Sequence, residues 1–271
     1  MIHPTAIIDP RAELDPTVEV GPYAVIGAEV KIGPRTVVGS HAVIEGPIEI
    51  GCDNQIYPGA ALGLPPQDLK YKGARSYVVI GDRNIIREYV TVNRATGEEE
   101  KTIIGNDNLL MAYVHIAHNC VLGDGIVIAN GVSLAGHVEV ESKAVIGGIL
   151  GIHQFVRIGT MAMLGGMSRI DRDVPPYMLV EGNPCHIRSL NMVGFKRNNF
   201  TREQIEVLKK AYRILYKSGL TINQALKQLE PLQVYPEVRH LSEFIYASVN
   251  DPNRRGLINP QREEKDGRHE I

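Results

Sequence analysis

The sequence has few cysteines, almost no net charge and no long apolar run, and each of these shortages excludes a class of protein. The three cysteines, Cys52, Cys120 and Cys185, are far apart and form no CxxC pair. We therefore expect a reducing compartment rather than a disulfide framework. A net charge of −2 argues against a general role on nucleic acid or on a membrane surface. No apolar run approaches the roughly 20 residues of a membrane-spanning helix.

The N-terminal stretch MIHPTAIIDP also lacks the basic region and the apolar stretch of a signal peptide. We therefore expect a cytoplasmic protein. With 271 residues, of which 44% are hydrophobic, the chain can bury a core in one large domain or two modest ones.

An aliphatic residue recurs at every sixth position. Reading from Ile2 to Leu62, from Ile80 to Val92 and from Ile104 to Ile170 gives 26 positions, all of them Ile, Leu or Val. The following residue is Gly, Ala, Asp or Glu in 20 of the 26, as in IGPRTV and LGDGIV. A period of six fits neither an α-helix nor a simple alternating strand.

The period instead fits a three-sided coil with one short strand and one corner per hexad, the aliphatic residue pointing inward. Gly, Asp or Asn at the corners would tolerate the unusual backbone angles there. Coils stacked about 4.8 Å apart would pair every strand with its neighbours above and below. These hexads resemble the hexapeptide-repeat family, which implies an all-β left-handed parallel β-helix, an exception to the right-handed crossover rule.

The chain divides into three segments. We predict the β-helix over residues 1–189, interrupted by a first excursion at 63–79 and a second excursion at 93–103, both rich in Pro, Gly or charge. Helical periodicity over 190–250 predicts a small C-terminal helical domain, in which Thr201 and Gln204 fit a capping box and Gly219 a C-cap. The polar tail, 251–271, is expected to be disordered.

Four histidines fall near one corner of the predicted prism, where residues 18 apart stack. They are His115, His118, His137 and His153, with Gln154 two coils above His118. His153 also occupies a position where Gly or Ala is the rule, and such a break in a strict pattern indicates function. The cluster could hold a metal such as zinc or supply a general base.

Small residues form a second column. Ala129 and Asn130, Gly147 and Gly148, and Gly165 and Gly166 share one face, with Met111 and Ala112 below. Such a column predicts a shallow trough along the prism, which suits an extended apolar chain better than a compact ligand.

Several motifs resemble the UDP-N-acetylglucosamine (UDP-GlcNAc) O-acyltransferase family over nearly the whole chain up to about residue 250. They are QDLKY, IGDRNIIRE, DNLLM, HIAHNC, LAGHV, HQF, DVPPY and FKRNNF. The resemblance implies transfer of a 3-hydroxyacyl group from acyl carrier protein to the sugar 3-hydroxyl, the first step of lipid A synthesis. It implies no cofactor and no metal, because the acyl carrier protein thioester is itself the donor substrate.

The resemblance also implies roles for individual residues. His118 matches the general base and Gly136 the backbone N–H that stabilises the oxyanion. Residues that hold the sugar nucleotide or orient the base are matched by Asp68, His115, Gln67, Lys70, His137, His153, Gln154, Asn191 and Arg197. The acyl groove is matched by Met111, Gly148 and Gly166, the last near its far end, where chain length is measured.

The resemblance further implies a homotrimer with active sites between neighbouring prisms. Basic residues in FKRNNFTRE and the following helix (Lys209, Lys210, Arg213 and Lys217) could be an ordinary exposed face or a docking site for acidic acyl carrier protein. Three residues depart from the family's pattern: Asn119, where many members carry Asp; Asn93, in VNRAT instead of His-Arg-Gly-Thr; and Pro184, where some carry histidine.

Two other activities stay open at this point. A later N-acyltransferase of the same pathway shares the coil, but we expect it to carry a uridine-binding domain before the hexads, which here begin at Ile2. A γ-carbonic-anhydrase-like zinc enzyme also places three histidines on such a prism. Neither donor length nor the choice between UDP-GlcNAc and its 3-amino analogue can be read from the residues.

Overall fold

The computed structural model describes residues 1–252 and 254–260. Its first 190 residues form short strands separated by turns. Strands β1 to β9 are Ile7–Ile8, Glu13–Leu14, Glu19–Val20, Val25–Ile26, Val30–Ile32, Val37–Val38, Val43–Ile44, Ile48–Ile50 and Gln55–Ile56. Strands β10 to β18 are Ala61–Leu64, Tyr77–Ile80, Ile85–Ile86, Thr91–Asn93, Lys101–Ile104, Leu109–Leu110, His115–Ile116, Val121–Leu122 and Val127–Ile128. Strands β19 to β27 are Ser133–Leu134, Glu139–Val140, Val145–Ile146, Gly151–Ile152, Arg157–Ile158, Met163–Leu164, Arg169–Ile170, Met178–Glu181 and His186–Leu190.

Every third strand pairs in parallel, which produces three sheets and a three-sided prism. The first sheet runs β1-β4-β7-β10-β13-β16-β19-β22-β25 and the second β2-β5-β8-β11-β14-β17-β20-β23. The third runs β3-β6-β9-β12-β15-β18-β21-β24-β26-β27, of which only the β26–β27 pair is antiparallel. The predicted left-handed parallel β-helix is confirmed.

Paired residues are 18 apart along most of the prism, as in Ile8 and Ile26. Across the first excursion the spacing is 30 residues, from Ala61 to Thr91, and across the second it is 24, from Thr91 to His115. Both excursions therefore add whole hexads, which is why the aliphatic phase resumes after each of them.

The interior contains two inward columns per face. The predicted aliphatic column is buried almost throughout, from Val20 to Ile170, and the residue two positions earlier is buried as well. This second column includes asparagines that bond one another: the Asn84 N–H donates to Asn54 Oδ1 at 2.9 Å, and the Asn108 N–H to Asn84 Oδ1 at 3.0 Å. Buried amides are tolerated because each has hydrogen-bond partners in the adjacent coil.

Many corners adopt the left-handed conformation without glycine. Tyr113, Ile149 and Met167 have φ values of 63°, 55° and 58°. The expectation of Gly, Asp or Asn at the corners is therefore too narrow. Backbone hydrogen bonds between coils, such as Ile149 N–H to the Asn130 carbonyl at 2.9 Å, fix these turns despite a local penalty of about 1–2 kcal/mol.

The C-terminal region is helical. Its helices are α1 (Met192–Arg197), α2 (Arg202–Tyr216), α3 (Ile222–Leu229) and α4 (Pro236–Asn250), with a 3₁₀ turn at Glu230–Leu232. The predicted capping box of Thr201 and Gln204 is confirmed, and Thr221 with Gln224 forms a second one. The predicted C-cap at Gly219 is wrong: Lys217 is the C-cap of α2, and Gly219, with φ of 73°, lies two residues further on. Strand β27 ends at Leu190, one residue past the predicted boundary.

Residues 254–260 pack against the prism. Leu257 bridges to Asp173 and Pro260 to Ile187. Ile258 is buried, and Arg254 forms an ion pair with Glu139 at 3.2 Å. The expectation that the tail is disordered from residue 251 is therefore wrong for 254–260, because an apolar side chain and a paired charge hold this segment in place. Residues 261–271 lie outside the described residues.

A polar cluster joins α4 to the second sheet. Glu141 Oε2 accepts from His240 Nε2 at 2.9 Å and from the Thr160 N–H and Oγ1, each at 2.8 Å. Burial alone would raise the pKa of Glu141, but the hydrogen bonds from His240 and Thr160 outweigh burial and hold the pKa below its usual value. The carboxylate therefore stabilises the fold in its charged form.

We expect Glu141→Gln to lower the melting temperature by roughly 3–10 °C at pH 7, for the loss of charge-assisted bonds worth about 1.5–3 kcal/mol. Because the folded pKa is lowered, this stabilisation is present above the unfolded value of about 4.3 and is lost as pH falls through the folded pKa. The difference in melting temperature between wild type and Glu141→Gln should therefore be smaller near pH 3 than near pH 7. Glu13→Gln, at an exposed ion pair with Lys31, is the matched control. An equal deficit at both pH values would contradict the prediction.

Candidate active site

His118 lies at the corner after β16, between the two excursions and the next coil. Its side chain is largely buried, since the residue is 7% exposed. Nδ1 lies 3.0 Å from Asn119 Oδ1, and Nε2 lies 3.7 Å from Asp68 Oδ2 in the first excursion. The imidazole therefore has a fixed orientation, with one nitrogen directed at an amide oxygen and the other toward a carboxylate.

Gly136 lies directly against the His118 ring in the next coil. A Cβ placed on Gly136 would lie 2.5 Å from Nε2 and 2.9 Å from Nδ1 of His118, closer than side-chain atoms approach each other. Within residues 1–252 and 254–260, the Gly136 N–H has no hydrogen-bond partner. The bare backbone thus places an available N–H donor beside a histidine, which is the arrangement required to hold a developing oxyanion next to a base.

Two further histidines flank His118. The ring of His137 packs edge-on against it, with centroids 5.2 Å apart, and stacks on Phe155 at 4.8 Å. His115 Nδ1 lies 2.7 Å from Thr91 Oγ1. Burial, followed by the proximity of His118, lowers the pKa of both His115 and His137. These neighbours therefore favour the neutral form near pH 7, which limits the positive charge around His118.

His153 lies on the neighbouring sheet face rather than against the His118 ring. It is exposed, with Nδ1 3.1 Å from the Gln154 carbonyl oxygen. It shares with His115 a groove of about 380 Å³ on the first sheet, between Ser133, Gly151 and Arg169. The structure thus brings His115, His118 and His137 together and connects His153 to them through this groove.

Of the residues predicted for the site in the first excursion, Asp68 contacts His118, whereas Gln67 and Lys70 face solvent. Asp68 faces His118 and also accepts the Lys70 backbone N–H at 2.8 Å. The side chains of Gln67 and Lys70 are exposed. The first excursion therefore brings a carboxylate to the histidine and leaves an amide and an ammonium group open to solvent beside it.

The residues of the predicted trough stack in successive coils. The Ile149 N–H donates to the Asn130 carbonyl and the Met167 N–H to the Gly148 carbonyl, which places Asn130, Gly148 and Gly166 one above another. Met111 belongs to the coil below, and its N–H donates to the Ile128 carbonyl. Ile149 and Met167, which are 70% and 77% exposed, form an apolar ridge along one edge of the strip. A strip of small residues beside an exposed apolar ridge therefore runs along the axis.

Asn191 and Arg197 lie in the helical region and have no hydrogen bond or ion pair to the His118 cluster in the described part of the chain. Asn191 caps α1: its Oδ1 accepts the Gly194 N–H and its Nδ2 donates to the Met161 carbonyl, each at 2.9 Å. Arg197 is exposed in the last turn of α1. Their predicted nucleotide contacts stay predictions, and Asn191 has a structural role that the sequence did not suggest.

Thr96 and Glu100, in the second excursion, were not singled out from the sequence. The Thr96 N–H and Oγ1 lie 3.1 and 3.0 Å from Asn119 Oδ1, and Asn119 Nδ2 lies 2.7 Å from Glu100 Oε2. The only sequence signal for this group is Asn119 itself, at a position where the family pattern has Asp.

The other two residues that depart from the family pattern, Asn93 and Pro184, lie in different environments. Asn93 is buried, and its Nδ2 donates to the Pro65 carbonyl at 3.0 Å, which fixes the start of the first excursion. Pro184 is exposed in the turn between β26 and β27.

Among the described residues, no group of three or more His, Cys, Asp or Glu side chains is arranged to hold a metal ion, and no helix is long and apolar enough to cross a membrane.

Comparison with known proteins agrees with this geometry. Residues 12–46 and 101–136 match the family model described as "Bacterial transferase hexapeptide (six repeats)". Residues 173–258 match that described as "Udp N-acetylglucosamine O-acyltransferase; Domain 2". Together the two models match both the prism and the helical region.

The similarity to individual proteins extends over almost the whole chain. The acyl-[acyl-carrier-protein]–UDP-N-acetylglucosamine O-acyltransferase of Gloeothece citriformis is 60% identical over 257 residues, 95% of this chain and 93% of its own length. The protein of the same name from Synechocystis is 55% identical over the same span. The structure of the UDP-N-acetylglucosamine acyltransferase of Francisella novicida superimposes with a TM-score of 0.92 at 36% identity, covering 97% of this chain and 95% of the other. This chain therefore belongs to the UDP-N-acetylglucosamine O-acyltransferase family.

Proposed function

We propose that this protein transfers a 3-hydroxyacyl group from acyl carrier protein to the 3-hydroxyl of UDP-GlcNAc, the first step of lipid A synthesis. The observation that carries the proposal is the contact between His118 and Gly136, which places a partly enclosed imidazole beside an unused backbone N–H. The names of the relatives at 60% and 55% identity support the same activity.

His118 Nε2 is the general base. It takes the proton of the sugar 3-hydroxyl as that oxygen attacks the thioester carbonyl carbon, and the Gly136 N–H donates to the resulting oxyanion. When the tetrahedral intermediate collapses, the C–S bond breaks and the imidazolium returns its proton to the thiolate of the carrier protein. Asp68, 3.7 Å from Nε2, orients the sugar or the imidazole and favours the imidazolium while it exists.

The open sites around this centre suit the two substrates. Lys70 supplies a point charge for phosphate, and Arg197 with Asn191 supplies contacts from the helical region. His115 and His153 provide polar groups along the groove beside the base. Gln67 and Gln154, next to Asp68 and His153 in the chain, add further polar groups. The channel past Met111, Gly148 and Gly166 takes the acyl chain, because a long apolar chain requires an extended surface rather than a compact pocket.

Two association surfaces belong to this proposal. We place a homotrimer contact along the exposed apolar corners at Tyr113, Ile149 and Met167, which would bring a second wall to each shallow site and exclude water from it. The basic residues of α1 and α2 (Lys196, Lys209, Lys210 and Arg213), with Lys217 at the C-cap of α2, form the docking face for acidic acyl carrier protein.

The two other activities are less well supported. The similar proteins of the same length are named as O-acyltransferases, which does not favour the N-acyltransferase. A zinc hydratase has no use for the axial channel or the basic helices, and the described residues form no cluster of metal ligands. Stoichiometric zinc that is removed together with activity would nevertheless overturn the acyltransferase proposal.

The direct test is an acyl-transfer assay with purified protein. 3-Hydroxyacyl carrier proteins of several chain lengths serve as donors, and UDP-GlcNAc and its 3-amino analogue as acceptors. We expect acylated sugar nucleotide from at least one donor, and the acceptor comparison identifies whether an ester or an amide is formed. Absence of transfer from every donor to both acceptors would contradict the proposal.

A bulky residue at Gly166 should shift donor preference toward shorter chains. A Cβ at Gly166 would lie 3.2 Å from the Gly148 carbonyl oxygen, a tight contact that a shift of a few tenths of an ångström relieves, so a larger side chain can be placed on this strip. We expect Gly166→Leu to lower the ratio of long-donor to short-donor kcat/KM by at least about tenfold, as steric discrimination by one or two methylene groups allows. The ratio within one variant controls for its folding. An unchanged ratio would remove Gly166 from the channel.

A further inference from the structure

The contacts of Asn119 point to a positioning device beside the base. We propose that Asn119, held by Thr96 and Glu100 of the second excursion, fixes His118 in the tautomer that carries its proton on Nδ1. The inference rests on the proposed role of His118 as general base. It gives the second excursion a function in the reaction.

The orientation of the Asn119 amide follows from its partners. A backbone N–H can only donate, so the Asn119 atom 3.1 Å from the Thr96 N–H must be the oxygen. The amide nitrogen then lies 2.7 Å from Glu100 Oε2, a carboxylate oxygen that can only accept. Both ends of the amide therefore agree, and a flipped amide would place its oxygen against a carboxylate and its N–H₂ against an N–H.

The tautomer of His118 follows from the amide. Asn119 Oδ1 has no proton to give, so the bond of 3.0 Å to His118 Nδ1 requires that Nδ1 carry the proton. Nε2 then presents its lone pair toward Asp68 and the space beside Gly136. The nitrogen that must accept the substrate proton is thus the one left unprotonated.

The second excursion is built to hold this amide. Glu100 Oε2 also accepts the Gly97 N–H at 2.9 Å, which closes the loop around the carboxylate. The Asn119 backbone N–H donates to Thr102 Oγ1 at 2.8 Å, which fixes the corner on the other side. Since Thr96 and Glu100 touch Asn119 and not the imidazole in this network, they act through it.

Replacing Asn119 by Asp would turn the hydrogen bond to Glu100 into a repulsive contact, because the amide donor would be lost. A second carboxylate would then face Glu100 Oε2 at hydrogen-bonding distance, and two anions so close repel each other. Glu100→Gln in the same chain restores a donor to that position. The pair therefore offers a rescue that a purely local effect of Asn119 would not produce.

Several charged groups must be considered in any pH profile of His118. Asp68 faces its Nε2, His137 packs on its ring and His115 lies on β16 just before it, while Glu100 reaches it through Asn119. The Asn119→Asp substitution would place a second negative charge, besides that of Asp68, next to His118, and this charge favours the imidazolium. The midpoint of the pH–rate profile should then rise.

The test compares wild type with Asn119→Ala, Asn119→Asp and the double variant Asn119→Asp/Glu100→Gln, measuring kcat and KM against pH together with melting temperature. We expect Asn119→Ala to lose about 100-fold in kcat with KM for UDP-GlcNAc nearly unchanged, because the tautomer is no longer fixed. Asn119→Asp should lose melting temperature and kcat. The double variant should recover both to within about tenfold of wild-type kcat, with the pH midpoint raised by about one unit.

The outcomes separate this inference from the proposed function. Retention of more than a third of kcat in Asn119→Ala, or a double variant no better than Asn119→Asp with an unmoved pH midpoint, would overturn the positioning role. His118→Ala is measured in parallel. If that variant keeps its activity, the base assignment fails; if it is inactive while Asn119→Ala is not, only the positioning role fails.

Discussion

His118→Ala should lower kcat for acyl transfer by a factor of about 10²–10⁴ while leaving the fold intact. That range is the contribution of a positioned general base, and no other described group lies where it could take the hydroxyl proton as directly. Asp68 is 3.7 Å from the imidazole that would be removed, and a carboxylate is a much weaker base than an imidazole. The loss should therefore appear in kcat rather than in KM for UDP-GlcNAc.

The fold should survive because His118 is not part of the aliphatic interior. Its side chain bonds to Asn119 and packs against His137, both at the corner of the prism. His3→Ala, at the N-terminal end of the prism, is the matched control and should keep full activity, because among the described residues its ring bonds to Thr5 alone. A loss of less than about tenfold in His118→Ala, with an unchanged melting temperature, would contradict the general-base role.

The prism could be predicted from the sequence because one rule repeats. An inward aliphatic residue every sixth position identifies the coil, and excursions that add whole hexads leave the phase intact on both sides. The second inward column escaped notice because its residues are mixed: Ala42, Ile48, Asn54 and Thr102 all point inward, and only hydrogen bonds between coils make the polar ones acceptable there. The packed tail at Ile258 was missed because a single apolar residue in a polar segment carries no periodic signal.

The site was predictable as far as the coil register reaches. Gly136 stacks on His118 at an interval of 18, His137 is the next residue, and both contact the His118 ring. The position of His153 was predicted less well: it directly follows the inward Ile152 on β22 and lines the groove of the first sheet instead of contacting the His118 ring. Thr96 and Glu100 lie in an excursion, where the six-residue repeat does not predict which residues are neighbours. Their contacts with Asn119 therefore could not be predicted from the sequence.

Gly136→Ala should be nearly as damaging as the loss of the base. The new methyl group would lie 2.5 Å from His118 Nε2, so the ring must move by at least several tenths of an ångström or leave its bond with Asn119. The same methyl would stand where the oxyanion must meet the Gly136 N–H. A displacement of about 1 Å costs on the order of 10²-fold, and the loss of an oxyanion donor costs about 10²–10³-fold. We therefore expect kcat to fall at least about 100-fold.

The melting temperature distinguishes this effect from misfolding. Overpacking beside a buried ring destabilises by about 1–3 kcal/mol, so Gly136→Ala should remain folded but melt somewhat lower. Gly27→Ala is the matched control, since its Cβ would lie 3.4 Å from the Ile44 carbonyl oxygen, an ordinary contact far from the histidines. It should change neither activity nor stability appreciably. If Gly136→Ala keeps more than a tenth of wild-type kcat, the substrate carbonyl does not approach this face of His118, and the oxyanion must be held elsewhere.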